Sequence, residues 1–183
     1  MKRLLITLLA IVGMAGQWAV ADPRTDRLNT LFERLKAAPD GVAADSVATQ
    51  IKQIWMHSGS ATADLLLERA DSALEQQNMP LCIEILDRLV VLDPDWAEAW
   101  NRRATVFYLM EDYRRAMSDI AETLKREPRH YGALSGMGLI FLHSGNKKRA
   151  YDAFERVLDL YPQLDTAKQA VEELRTDVEG LPL

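Results

Sequence analysis

Apolar and small side chains return along this chain at intervals of thirty-four residues. Pro94, Pro128 and Pro162 share that spacing. Taking each proline as position 32 of a unit gives residues 63–96, 97–130 and 131–164. Small residues then fall at position 8 (Ala70, Ala104, Gly138) and position 20 (Cys82, Ala116, Ala150). Larger apolar residues fall mostly at position 4 (Leu66, Trp100, Leu134), position 11 (Ala73, Phe107, Phe141), position 24 (Leu86, Ile120, Phe154) and position 28 (Val90, Leu124, Leu158). The pattern predicts two antiparallel helices per unit. The small columns let their backbones approach, and the large ones fill the space around that contact. Turns are predicted at Gln77-Asn78, Glu111-Asp112 and Gly145-Asn146, residues suited to turn geometry. Each proline ends a second helix, because it cannot continue one. One such hairpin cannot bury its apolar face alone, so three must stack into an all-α solenoid with a concave side.

Both flanks carry helical spacing too. Leu28, Leu31, Phe32 and Leu35 form one apolar stripe, and Val47, Ile51, Ile54 and Trp55 another, with Pro39-Asp40-Gly41 between them. Residues 22–62 therefore read as a divergent helical hairpin, expected to cap the first repeat. Ser60 and Thr62 are both candidate N-caps for the helix that follows. Residues 165–183 read as a capping helix over 165–177 and a tail. Ala167, Ala170, Val171 and Leu174 are on one face of that helix, and Lys168, Glu172, Glu173 and Arg175 on the other. At the start, Lys2-Arg3, an apolar stretch from Leu4 to Val12 and Ala19-Val20-Ala21 make residues 1–21 a secretory signal peptide, cleaved after Ala21. Gln17 and two glycines leave its apolar part too short to span a bilayer. The expected location is periplasmic or secreted, with no membrane insertion after cleavage.

The columns resemble the tetratricopeptide repeat family, whose pattern is W-x₂-L-G-x₂-Y, then A-x₃-F, then P. The middle unit matches through Trp100, Ala104, Phe107, Ala116, Ile120 and Pro128. The third matches through Gly138, Phe141, Ala150, Phe154 and Pro162. The first departs most, with Ala73 in an aromatic column. The resemblance implies an α-α superhelix that binds a peptide or partner protein on its concave face. It also implies that first-helix positions 2, 5, 9, 12 and 13 line the groove. Carried over, these include Asp71, Asn101, Thr105, Tyr108, Ser135, Leu139, Leu142 and His143, with Leu67 and Glu98 among the rest. Arg102, one residue after a groove position, is expected to turn toward the concave side. Chaperone-binding members grip a C-terminal carboxylate with Lys, Arg and Asn. Here Asn101 alone fits that scheme, and Leu67, Asp71 and Leu139 oppose it. The chain also resembles a group of short exported proteobacterial repeat proteins without an established activity. That likeness rests on Ile54-Trp55, Ser58 to Leu66, Ala97 to Ala104 and Glu127 to Leu134.

Composition narrows the function. With 48% hydrophobic and 27% charged residues in 183, the chain is an ordinary globular protein. Its formal charge of −5, or −7 once Lys2 and Arg3 are removed, argues against nucleic acid as a partner. A single cysteine, Cys82, excludes an internal disulfide; it sits in a small-residue column and reads as a packed thiol. His57, His130 and His143 fall one to a hairpin, too scattered for a metal site. Gly132, Gly136 and Gly138 mimic a glycine-rich loop but fall inside a helix, where they read as serving close packing. Arg69 and Arg103 both occupy position 7, and Asp119 on the facing helix is the predicted partner of Arg103. No nucleophile, base and stabiliser share a recognisable spacing. The expectation is a non-enzymatic adaptor or scaffold without cofactors, its partner an unidentified protein or peptide. The alternative is a self-assembling structural protein of the cell envelope, with homo-oligomerisation left open.

Overall fold

The computed structural model describes residues 23–180. The signal peptide and its cleavage point, and the tail residues 181–183, lie outside the described residues. Within them the chain forms nine helices and no strand: α1 Pro23–Lys36, α2 Gly41–Trp55, α3 Ala61–Glu75, α4 Met79–Leu92, α5 Ala97–Leu109, α6 Tyr113–Arg126, α7 Tyr131–His143, α8 Lys147–Leu160 and α9 Asp165–Glu179. The pairs α3/α4, α5/α6 and α7/α8 are the three repeat hairpins. α5 also packs on α4, α7 on α6 and α5, and α9 on α8.

One device builds the turn inside every repeat. Gln77, Glu111 and Gly145 adopt positive φ (58°, 59° and 72°). The next N–H reaches back five residues: Asn78 to Ala73 O (2.8 Å), Asp112 to Phe107 O and Asn146 to Phe141 O (2.9 Å each). This left-handed helix stop satisfies carbonyls that the helix end would otherwise orphan. The same Asn78, Asp112 and Asn146 then cap the second helix, accepting from the N–H of Leu81, Arg115 and Arg149. Each second helix ends two residues before its proline, since the residue preceding proline is pushed out of the helical region. Of the two candidate caps for α3, Ser60 is the one that serves, and Thr62 lies within the helix.

The N-terminal hairpin does not cap the first repeat. Its stripes (Leu28, Leu31, Phe32, Leu35, Val47, Ile51, Trp55) join one apolar core with Tyr131, Leu134, Phe154, Val157 and Tyr161 of the third repeat and with Ala167, Val171 and Leu174 of α9. The hairpin runs along the edge formed by the loops between repeats. Trp96 Nε1 donates to Trp55 O (2.7 Å), Tyr131 Oη to Ala48 O (3.2 Å), Arg129 Nη1 to Asn29 Oδ1 (2.7 Å) and the Tyr161 hydroxyl to Asp45. The physical reason lies in the aromatic residues at the junctions between repeats and near the end of the third. Trp96, His130, Tyr131 and Tyr161 would leave a large apolar edge in water, and burying a side chain of that size stabilises by roughly 1.5–3 kcal/mol. The first repeat consequently keeps an open outer face. Leu65 is 46% exposed there, whereas the equivalent Ala99 and Ala133 are buried.

Candidate partner-binding groove

α5 and α7 pack side by side, and between them on the concave side runs a crevice of about 320 Å³. Its walls are Asn101, Thr105, Tyr108 and Leu109 of α5 and Ser135, Leu139 and Ile140 of α7; Ile120 of α6 reaches it from behind. Gly132 and Gly136 line it as well. Two of the three glycines of α7 thus differ from the packing role expected of them. A Cβ on Gly138 would stand 2.8 Å from the Phe154 ring, so close helix packing does require that glycine. A Cβ on Gly136 would meet only Ile120 Cδ1 at 3.5 Å, and one on Gly132 only the His130 ring from 3.4 Å. Those are contacts the fold would accept, although glycine in a helix interior costs about 1 kcal/mol relative to alanine. Gly136 therefore keeps the crevice open.

The groove residues read from the sequence separate into two groups. Thr105 and Leu139 are exposed, and Asn101, Tyr108 and Ser135 are half-buried along the crevice. Thr105 and Ser135 turn their hydroxyls to Asn101 O and Tyr131 O (3.0 and 2.8 Å). Their methyl and methylene carbons are then left for contact. His143 closes one end. Its Nε2 lies 3.1 Å from the Tyr108 hydroxyl, and its ring stacks on Tyr113 with centroids 5.0 Å apart. Leu142 is half-buried against the third-repeat core and does not line the crevice. Leu67 and Glu98 are buried and do not line the crevice.

Arg102 and Asp71 belong to a polar cluster at the other end. Arg102 does not stand free in the groove. Its Nε lies 2.8 Å from Glu98 Oε1, a charge contact without hydrogen-bond alignment; its Nη1 is 3.6 Å from Asp71 and its Nη2 reaches Met56 Sδ at 3.3 Å. Glu98 also pairs with His130 Nε2 at 2.9 Å and with the Asn101 amide at 3.3 Å. Burial pushes the Glu98 carboxyl up, but His130, Arg102 and Asn101 outweigh it and hold the group below the ordinary glutamate value. His130 Nδ1 accepts the Ala133 N–H at 3.1 Å, capping α7, which leaves Nε2 to carry the proton toward Glu98. The Trp55 indole stacks on that imidazole at 4.2 Å, so the hairpin covers the cluster. Asp71 is half-buried. Its carboxyl is raised, first by burial and then by Glu98 and Glu75, against the pull of Arg102. Lys52 and Met56 of the hairpin share with Asn101, Arg102 and Gly132 a smaller space of about 230 Å³, so the hairpin walls one side of the groove.

Other candidate chemistry is spread thin. Burial, then the charge of Asp71, push the Cys82 thiol up to about 11. His57 sits beside Asp64 on the surface, far along the chain from His130 and His143. Among the described residues no three His, Cys, Asp or Glu side chains converge on a metal-sized site, and no helix is long and apolar enough to cross a membrane. Sequence reasoning missed Gly136, Lys52 and Met56 as groove elements. A glycine inside a strong helical pattern was the available signal for the first. The other two depended on where the hairpin docks.

A tetratricopeptide repeat family profile matches residues 101–165. A TPR repeat-containing protein of Rhizobium etli is 46% identical over 154 residues, covering 84% of this chain and 76% of that protein. Among solved structures, the Arabidopsis OM64 TPR domain superposes with TM-score 0.61 at 21% identity, covering 63% of this chain and 96% of that one. The first TPR domain of Spaghetti (RPAP3), bound to the HSP90 peptide SRMEEVD, gives 0.60 at 20% identity, covering 63% and 91%. The Yersinia enterocolitica type III secretion chaperone SycD, in complex with a peptide of the translocator YopD, gives 0.61 at 13% identity, covering 64% and 95%.

Proposed function

The chain belongs to the tetratricopeptide repeat family, and from that premise we propose that it is a non-catalytic adaptor or scaffold of the periplasm that holds a segment of a partner protein on its concave face. The observation that carries this reading is the crevice between α5 and α7. It is open and largely apolar, and the N-terminal hairpin lines only the smaller space that adjoins it at Asn101 and Gly132. Two of the fold neighbours carry bound peptides, which supports a segment as the occupant. Lys2-Arg3 and Ala19-Val20-Ala21 support export. The raised, buried Cys82 thiol fits a protein without a nucleophile.

A photo-crosslinking side chain at Thr105 or Leu139 tests the groove directly. The expected result is one reproducible adduct in cells from those positions and none from Arg88 or Arg114, which are exposed on second helices. Equal labelling from both faces would overturn the assignment. Cell fractionation with N-terminal sequencing checks the compartment: the mature protein should be periplasmic and begin at Asp22. A second reading, self-assembly, is favoured by the uncovered face of the first repeat around Leu65. A sedimentation series that stays monomeric at high concentration would remove it.

A further inference from the structure

The crevice is an apolar pocket, and beyond its Asn101 end, across Arg102, stands an excess of negative charge on α3. Tyr108, Leu109, Leu139 and Ile140 supply apolar surface over Gly132 and Gly136. Leu109 and Leu139 remain 48% and 39% exposed, an apolar pair left in water beside a cavity large enough for a bulky side chain. Packing does not explain Gly136, because a Cβ there would make an ordinary contact. An approaching side chain does explain it, since a larger residue would occupy the same space. On the α3 side, Asp71 and Glu75 stand one helical turn apart, and Glu98 lies close enough for both to act on the Asp71 carboxyl. Arg102 is the cation placed between Glu98 and Asp71 and serves both of them. Glu75 is exposed and forms no ion pair with another described residue. With Lys52 of the hairpin counted beside Arg102, the three carboxylates Asp71, Glu75 and Glu98 still outnumber the two cations near α3.

We propose that the crevice anchors a bulky apolar side chain of a partner segment, and that the same segment carries lysine or arginine toward Asp71 and Glu75. This rests on reading the concave face as a peptide-binding surface and adds the chemistry of the peptide. An acidic segment would meet like charge along α3, and a purely polar one would leave the apolar pair exposed.

The probe is a short fluorescent peptide with a leucine flanked by lysines, titrated by anisotropy against the mature chain. Two counterparts replace the leucine by serine, or the lysines by glutamate. The lysine–leucine peptide should bind saturably, and each counterpart should bind about tenfold more weakly or worse, as loss of an interface anchor typically does. Gly136→Leu, which fills the crevice, and Leu139→Ser, an exposed change, should each weaken it by about tenfold, with the unfolding midpoint level or raised in the first and near the parent's in the second. If Gly136→Leu fails to fold, Leu139→Ser carries the test. Glu75→Lys should weaken binding about two- to fivefold, more so at low salt. A glutamate peptide that binds as tightly as the lysine one overturns the charge assignment. A lysine–leucine peptide that ignores both crevice variants overturns the anchor. Absence of binding by the whole series overturns the proposed peptide chemistry. The crosslinking from Thr105 and Leu139 is independent of that chemistry, so an adduct obtained there would leave the groove reading standing.

Discussion

Arg102 and Arg103 are neighbours on α5, and each heads a polar centre, but the two centres tie different parts of the molecule. Arg103 makes two parallel bonds to Asp119 of α6 (2.7 and 2.8 Å) and a third to Asp87 of α4 (2.9 Å), with its guanidinium 5.0 Å from the Trp100 ring centre. It joins the two helices of the middle repeat to the second helix of the repeat before. Arg102 faces Glu98, Asp71 and Met56, and through Glu98 it reaches His130, which lies under Trp55. It joins the stack to the hairpin laid along its edge. One residue is roughly 100° of rotation, enough to separate a bond within the solenoid from a bond at its rim.

The largest expected effect belongs to the inner centre. Arg103→Ala should destabilise by about 3 kcal/mol, because Asp119 is buried and would keep its charge without the bidentate partner. Adding Asp119→Asn should return part of that loss, which urea unfolding of the single and double variants measures. Arg102→Ala should cost less, about 1–2 kcal/mol, since Glu98 retains His130 and Asn101. Hydrogen exchange should then rise in α1 and α2 rather than in α5 and α6. Equal losses with the same exchange pattern would mean that the hairpin and the stack unfold as one unit and that the rim has no bonding of its own.

The inner centre was legible in the sequence, whereas the rim was not. Repeat register puts Arg103 at position 7 and Asp119 on the facing helix, so pairing them needs only the thirty-four-residue period. The same period located the turns at Gln77, Glu111 and Gly145, and the columns of small and large residues. Register alone turns Arg102 toward the concave side. Its actual surroundings include Met56 and a cluster covered by Trp55, both from a hairpin outside the repeat pattern. Nothing periodic says whether that hairpin sits on the first repeat or runs along the loop edge. The signal was present as Trp96, His130, Tyr131 and Tyr161, but aromatic residues at repeat junctions are read as interface only once a partner is known to lie there. The groove shows the same division. Tyr108, Thr105 and Leu139 follow from repeat positions, whereas the open role of Gly136, against the packed role of Gly138, needed the Phe154 ring in place.

Acid should act on the rim through Glu98. Its folded carboxyl lies below the ordinary glutamate value, so the folded state binds that proton less readily than the unfolded chain does. The stability it contributes is complete above the unfolded range and is lost as pH falls through the folded value. Glu98→Gln should flatten that part of the acid limb in a series of urea midpoints, with an effect smaller than either arginine loss at neutral pH. His130 and Asn101 would still find a neutral carbonyl oxygen to meet. An acid limb identical to the parent would place the acid sensitivity in other carboxylates and leave the rim centre electrostatically inert.

The smallest effect, and the one that best separates fold from recognition, is Asp71→Asn. Asp71 shares Arg102 with Glu98, but its sign is opposite. Burial raises its carboxyl, with Glu98 and Glu75 adding to the rise, and Arg102 at 3.6 Å does not compensate. A raised carboxyl means that ionisation is harder in the folded state. The charge is therefore a penalty at neutral pH, relieved as pH falls through the folded value. Replacing it with asparagine removes the penalty and keeps the shape. The unfolding midpoint should stay level or rise, by no more than about 0.5 kcal/mol for a half-exposed group. Affinity for a lysine-flanked leucine peptide should fall in the same variant. A rise in stability together with a fall in binding would mark Asp71 as a recognition residue at the mouth of the groove. Destabilisation as large as that of Arg102→Ala would instead make Asp71 part of the hairpin seat, and the negative charge along α3 would belong to the fold.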